Sequence, residues 1–67
     1  MKALTGEEMV ELLKKHGWYL LRISGSHYIM KKEGLPYNLS IPVHKGKTLK
    51  KGLQIFFLKQ GGLMPSH

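Results

Sequence analysis

The chain has 67 residues, sets 11 Lys and Arg against 4 Asp and Glu for a formal charge of +7, and contains no cysteine. That length allows one domain with a small core, and the lack of cysteine excludes a disulfide framework and a cysteine-based zinc site. The charge favours polyanionic partners: nucleic acid first, an anionic membrane surface second, an acidic protein third.

No apolar run approaches the ~18 residues of a membrane-spanning helix. Glu7, Glu8 and Glu11 interrupt any signal-peptide pattern. The expectation is a soluble, cytoplasmic protein with no membrane partner and no small-molecule substrate. His16, His27, His44 and His67 lack the close spacing of a metal module, so neither a metal nor another cofactor is expected.

Thr5-Gly6-Glu7-Glu8 has the form of a capping box, with Thr5 at N-cap and Glu8 three residues on. Met9, Leu12 and Leu13 follow at helical spacing, Lys14, Lys15 and His16 suit the negative end, and Gly17 is a stop. A first helix is predicted from about Thr5 to His16, with His16 solvated in its last turn.

Trp18 to Ser24 is short, aromatic and aliphatic, and reads as a first strand. Gly25-Ser26 is a two-residue hairpin turn, and His27 to Lys32 is the second strand. Glu33 to Pro36 turns the chain again. Tyr37 to Val43 alternates, with Leu39, Ile41 and Val43 on one face, and reads as a third strand; Pro42 places it at a sheet edge or near the strand's end.

A basic loop, His44 to Lys47, leads to a second helix from about Thr48 or Leu49 to Gln60. Leu49, Leu53, Phe56 and Phe57 form its predicted apolar stripe, and Trp18 and the Phe56-Phe57 pair are assigned to the core. Gly52 suggests close approach to the sheet. Gly61-Gly62 ends the helix; the tail from Leu63 to His67 is expected to be loosely ordered, with Leu63 free to fold back. Helix, three-stranded antiparallel meander and helix make a two-layer α+β domain with both helices on one face, the layout of the double-stranded RNA-binding fold.

Lys45, Lys47, Lys50 and Lys51 gather at the start of the second helix, where free amides and the dipole already favour anions. They read as an RNA phosphate site or as a solvated charged face. Lys14-Lys15 and Lys31-Lys32 read as solvated. Tyr19, Tyr28 and Tyr37 read as packing residues, with base stacking the alternative.

His27 reads two ways, as an ordinary strand histidine or as a general acid–base in RNA cleavage. Cleavage by the neighbouring 2′-hydroxyl needs a proton acceptor, a proton donor and cations, and no metal. The chain shows no carboxylate cluster of the kind a two-metal nuclease uses. If Tyr28 and Met30 face the helices, His27 lies on the open sheet face. The parity of the third strand would put His44 there too, as a second catalytic group or a phosphate ligand.

Four elements in order carry a family resemblance: Lys15-His16-Gly17-Trp18, Gly25-Ser26-His27, Ile41-Pro42-Val43-His44, and the ending from Lys51-Gly52 to Leu58-Lys59-Gln60 and Gly62-Leu63. From about Leu4 to Leu63 the chain resembles the HicA toxin family. The resemblance implies an α-β-β-β-α fold and a toxin that cleaves or blocks messenger RNA through His27, with Gly25 and Ser26 positioning it. It also implies a HicB-type antitoxin that covers this histidine. Met30 departs from the family pattern, which often has an aromatic residue there. The alternative is a non-catalytic RNA-binding module of the same fold. A small protein whose basic surface chiefly binds an acidic antitoxin is a third reading.

Overall fold

A computed structural model describes residues 2–65. The elements are α1 (Gly6–Lys15), β1 (Tyr19–Ser24), β2 (His27–Lys31), β3 (Leu39–Pro42) and α2 (Lys51–Gln60). The three strands form one antiparallel sheet in the order β1-β2-β3. This is the predicted α+β meander between two helices.

α1 begins at the expected capping box. The Thr5 hydroxyl accepts from the Glu8 amide at 3.1 Å, and the Thr5 amide donates to the Glu8 carboxylate at 2.9 Å. Both helices end in the same way. The amide of Trp18 donates to the Leu13 carbonyl after α1, and that of Leu63 to the Leu58 carbonyl after α2, the pattern of the Schellman motif. Leu63 thereby folds back and packs against the core. Ser66 and His67, also expected in a loose tail, lie outside the described residues.

Met9, Val10 and Leu13 of α1, Met30 of β2, Leu39 and Ile41 of β3, and Phe57 and Leu58 of α2 form one buried cluster with Trp18 and Leu49. Cross-strand pairs Met30 with Leu39 and Tyr28 with Ile41 place one sheet face in this cluster. Both helices cover that face. Trp18 precedes β1 instead of starting it; its indole N–H donates to the Gly61 carbonyl at 3.1 Å, tying the strand's entry to the end of α2.

The buried face of α2 differs from the predicted stripe. Gln54, Phe57 and Leu58 are buried, while Leu53 is 37% and Phe56 49% exposed. Gln54 can be buried because both ends of its amide are bonded: its carbonyl accepts from the Leu4 amide at 2.6 Å and its NH₂ donates to the Lys2 carbonyl at 2.8 Å. Gly52 faces open space and approaches nothing. The close approach occurs at Gly6, where a Cβ would collide with the Pro42 carbonyl oxygen. α1 therefore starts directly against the end of β3.

Candidate nucleic-acid interface

The turn between β1 and β2 is Gly25-Ser26, closed by the Ser24–His27 pair. Gly25 has φ of 61°, and among the described residues no non-glycine residue has positive φ. A positive φ at the first central position alone is the pattern of a type II′ turn, whose twist suits a tight hairpin. His27, the first residue of β2, is exposed.

Alternation then fixes the faces. Tyr28 and Met30 point into the core, so His27, Ile29 and Lys31 point away from the helices. Met30 is fully buried, so its departure from the family pattern is a matter of the core and not of the surface around His27. On the open face His27 stands between Ser24 of β1 and Pro42 of β3.

Arg22 shares this face because of an irregularity in β1. Leu20 pairs with Met30 on the core face, and strict alternation would put Arg22 there too. The register shifts between Leu20 and Arg22, so Leu21 is an extra residue, and Arg22 pairs with Ile29 instead. The bulge turns the guanidinium to the side of His27. The alternation pattern gave no sign of it, since Tyr19 to Ile23 is apolar at both parities apart from Arg22 itself.

His44 lies beyond β3, which ends at Pro42, so strand parity does not reach it. It is exposed, and it lines a cleft of about 330 Å³ between the end of β3 and the start of α2. Pro42, Leu49 and Leu53 give this cleft apolar walls, and Lys47 and Lys50 give it charge. Pro42 thus borders the cleft and also stands opposite His27 in the sheet.

The four lysines are exposed but do not form one cluster. Lys47 and Lys50 line the cleft with His44. Lys51 lines a different hollow with Ala3 and Gln54, and Lys45 sits in the turn closed by the Lys47 amide and the His44 carbonyl. α2 starts two to three residues later than predicted, with Lys50 at N-cap. It has no side-chain cap and no acidic residue in its first turn, so nothing of its own offsets the positive end of the helix.

Among the described residues both ion pairs, Lys2–Glu8 and Lys14–Glu11, involve α1. The acidic side chains Glu7, Glu8 and Glu11 line a separate hollow on α1. The basic surface at β3 and α2 is therefore not neutralised by neighbours.

The family model described as HicA toxin of bacterial toxin-antitoxin matches residues 6–63, from the first residue of α1 to the Schellman contact after α2. The chain belongs to the HicA toxin family. No curated protein matches it. The span matched to the HicA family includes the hairpin, His27, His44 and the basic segment before α2. Among the described residues no helix is long and apolar enough to cross a membrane.

Proposed function

We propose that the chain is the toxin of a toxin–antitoxin pair and cleaves messenger RNA by metal-independent general acid–base catalysis at His27. The observation that carries this reading is the exposed His27 at the hairpin, on the sheet face that neither helix covers, in a chain of the HicA toxin family. The strand holds the ring's backbone rigidly, while the turn keeps it open to solvent and substrate.

In the reaction the 2′-oxygen attacks the adjacent phosphorus as the bond to the 5′-oxygen breaks. A proton leaves the 2′-hydroxyl and one arrives on the 5′-oxygen, leaving a cyclic phosphate and a free 5′-hydroxyl. His27 exchanges one of these protons, since imidazole takes up and releases protons near neutral pH. Arg22, on the same face two residues from Ser24, supplies positive charge for the pentacoordinate phosphorus. Lys45, Lys47, Lys50 and Lys51 hold the RNA backbone, with His44 as a further phosphate ligand or the second proton carrier. DNA lacks the 2′-hydroxyl and is not a substrate.

A HicB-type antitoxin inhibits the toxin by covering this same open face, and the pair acts in the cytoplasm, where messenger RNA is translated. The test is expression in a bacterial host. Wild-type chain is expected to arrest growth, co-expression with its cognate antitoxin to restore it, and the folded His27→Ala chain to be harmless. Growth arrest by His27→Ala as strong as by wild type would remove the histidine from the mechanism.

A second reading, a binding module without catalysis, is favoured by one observation. Among the described residues no carboxylate or carbonyl hydrogen-bonds the His27 ring, whereas catalytic histidines are commonly oriented by such a partner. A module of this kind would bind RNA through the same face and lysines and leave it intact.

A further inference from the structure

The cleft between β3 and α2 has a makeup that phosphate binding alone does not require. Among the described residues, two of the hollows have a volume of about 330 Å³. One is lined by Glu7, Glu8 and Glu11 with a single cation, Lys15, so its net charge disfavours a polyanion. The other combines Lys47, Lys50 and His44 with Pro42, Leu49 and Leu53, and no acidic residue lines it.

Leu53 is the informative wall. It lies on α2 at 37% exposure, while its helix buries Gln54, Phe57 and Leu58 instead. An apolar side chain that the core does not use therefore faces a cleft rimmed by cations. Apolar surface beside positive charge matches a nucleotide, which is a flat, weakly polar base joined to a phosphate. His44 adds an imidazole, one of the side chains on which unstacked bases rest.

Position makes the match specific. Pro42 is both a wall of this cleft and the cross-strand neighbour of His27, and such neighbours lie roughly 5 Å apart. A strand placed with one phosphate at His27 has its next nucleotide beside the cleft.

We propose that this cleft is a nucleotide subsite, which takes the base next to the cleaved linkage against Pro42 and Leu53 while Lys47 and Lys50 hold its phosphate. It rests on the ribonuclease reading for its role, which is to select where an RNA is cut. His44 is then a residue of recognition, in contact with base or phosphate.

The experiment has two arms. In the first, full-length His27→Ala chain is titrated with the four nucleoside monophosphates and with ribose 5-phosphate, followed by NMR. Monophosphates are expected to shift the Leu49 and Leu53 methyls together with the Lys47 and Lys50 amides. Ribose 5-phosphate is expected to shift the lysine amides alone. Leu53→Ser, a substitution at an exposed helix position that leaves charge unchanged, is expected to weaken monophosphate binding by roughly tenfold through lost apolar contact and ribose 5-phosphate binding not at all. Equal methyl shifts from both ligands, or equal affinities in Leu53→Ser, would overturn the subsite.

In the second arm, cut sites on one labelled RNA are mapped for wild type and for Leu53→Ser. A redistributed pattern supports the subsite. Cutting with an unchanged pattern overturns it and leaves the ribonuclease reading intact. Base binding in the cleft with no cutting by wild type supports the subsite and sinks the ribonuclease reading.

Discussion

The backbone amide of Val43 donates to the carbonyl of Ser26 at 2.8 Å. The chain leaving β3 is thereby pinned to the turn that carries His27, and Pro42 is fixed opposite the histidine. One backbone hydrogen bond thus links the hairpin tip to the entry of the basic cleft. A change at the turn should therefore reach the cleft. Gly25→Ala, which forces a side chain into a positive φ, is expected to cost about 1–2 kcal/mol, although nothing crowds the new methyl. Ser26→Ala, at a residue without positive φ, should cost much less. Urea unfolding of the two variants checks the difference.

Gly6→Ala tests the contact between α1 and the end of β3. The methyl would meet the Pro42 carbonyl and lie 2.9 Å from the Val43 Cα. Backbone on both sides must shift, and overpacking of this kind costs about 1–3 kcal/mol. Because Pro42 moves with it, RNA cleavage should fall further than the loss of folded protein explains. Stability by denaturant and kcat/KM on the folded fraction separate the two effects.

Gln54→Leu keeps a side chain of similar length but deletes both bonds to the N-terminal segment. The partly buried Leu4 amide and the exposed Lys2 residue's carbonyl lose their partner, and a loss of about 0.5–1.5 kcal/mol per bond is expected. Hydrogen exchange at the Leu4 amide should accelerate more than at the Met30 amide in the sheet. Equal acceleration would mean that Gln54 supports the fold globally and not this local clasp.

The capping box gives a dependence on pH. The Thr5 amide donating to Glu8 holds its carboxyl below its usual pKa. A carboxylate with a lowered folded pKa contributes stability that is present above its unfolded pKa and lost as pH falls through the folded value. Thr5→Ala should cost about 1 kcal/mol at neutral pH. Glu8→Gln should unfold with a flatter acid limb than wild type. A Glu8→Gln acid limb as steep as that of wild type would place the acid sensitivity elsewhere.

Lys50→Gln combined with Lys51→Gln tests the electrostatic part. Each phosphate contact removed should reduce the slope of log K against log salt by about 0.7 for single-stranded RNA. Fluorescence anisotropy on the His27→Ala background measures binding without cleavage. Two lost contacts reduce the slope by about 1.4, and an unchanged slope would move the phosphate track away from the start of α2.

Much of the fold was legible because local signals agreed with it. Thr5 and Glu8 marked the start of α1, Gly17 its end, Gly25-Ser26 the hairpin, and the alternation of Leu39 and Ile41 the core face of β3. Three features were hidden for physical reasons. The bulge at Leu21 leaves no trace in a stretch that is apolar at both parities, so nothing in the sequence marks Arg22 as a neighbour of His27 on the open face. Gln54 reads as a surface residue, and only the distant Lys2 and Leu4 backbone makes it buried. That displaced the predicted stripe and left Leu53 and Phe56 outside the core. The early end of β3 likewise freed His44 from strand parity and placed it in the cleft.

The most direct measurement is cleavage of a labelled single-stranded RNA by purified wild type and His27→Ala, with EDTA present throughout. Cutting by wild type alone, with cyclic phosphate and 5′-hydroxyl ends, is the expected result. Equal cutting by both proteins would contradict the role of His27, and binding by both without cutting would leave an RNA-binding module in place of an enzyme.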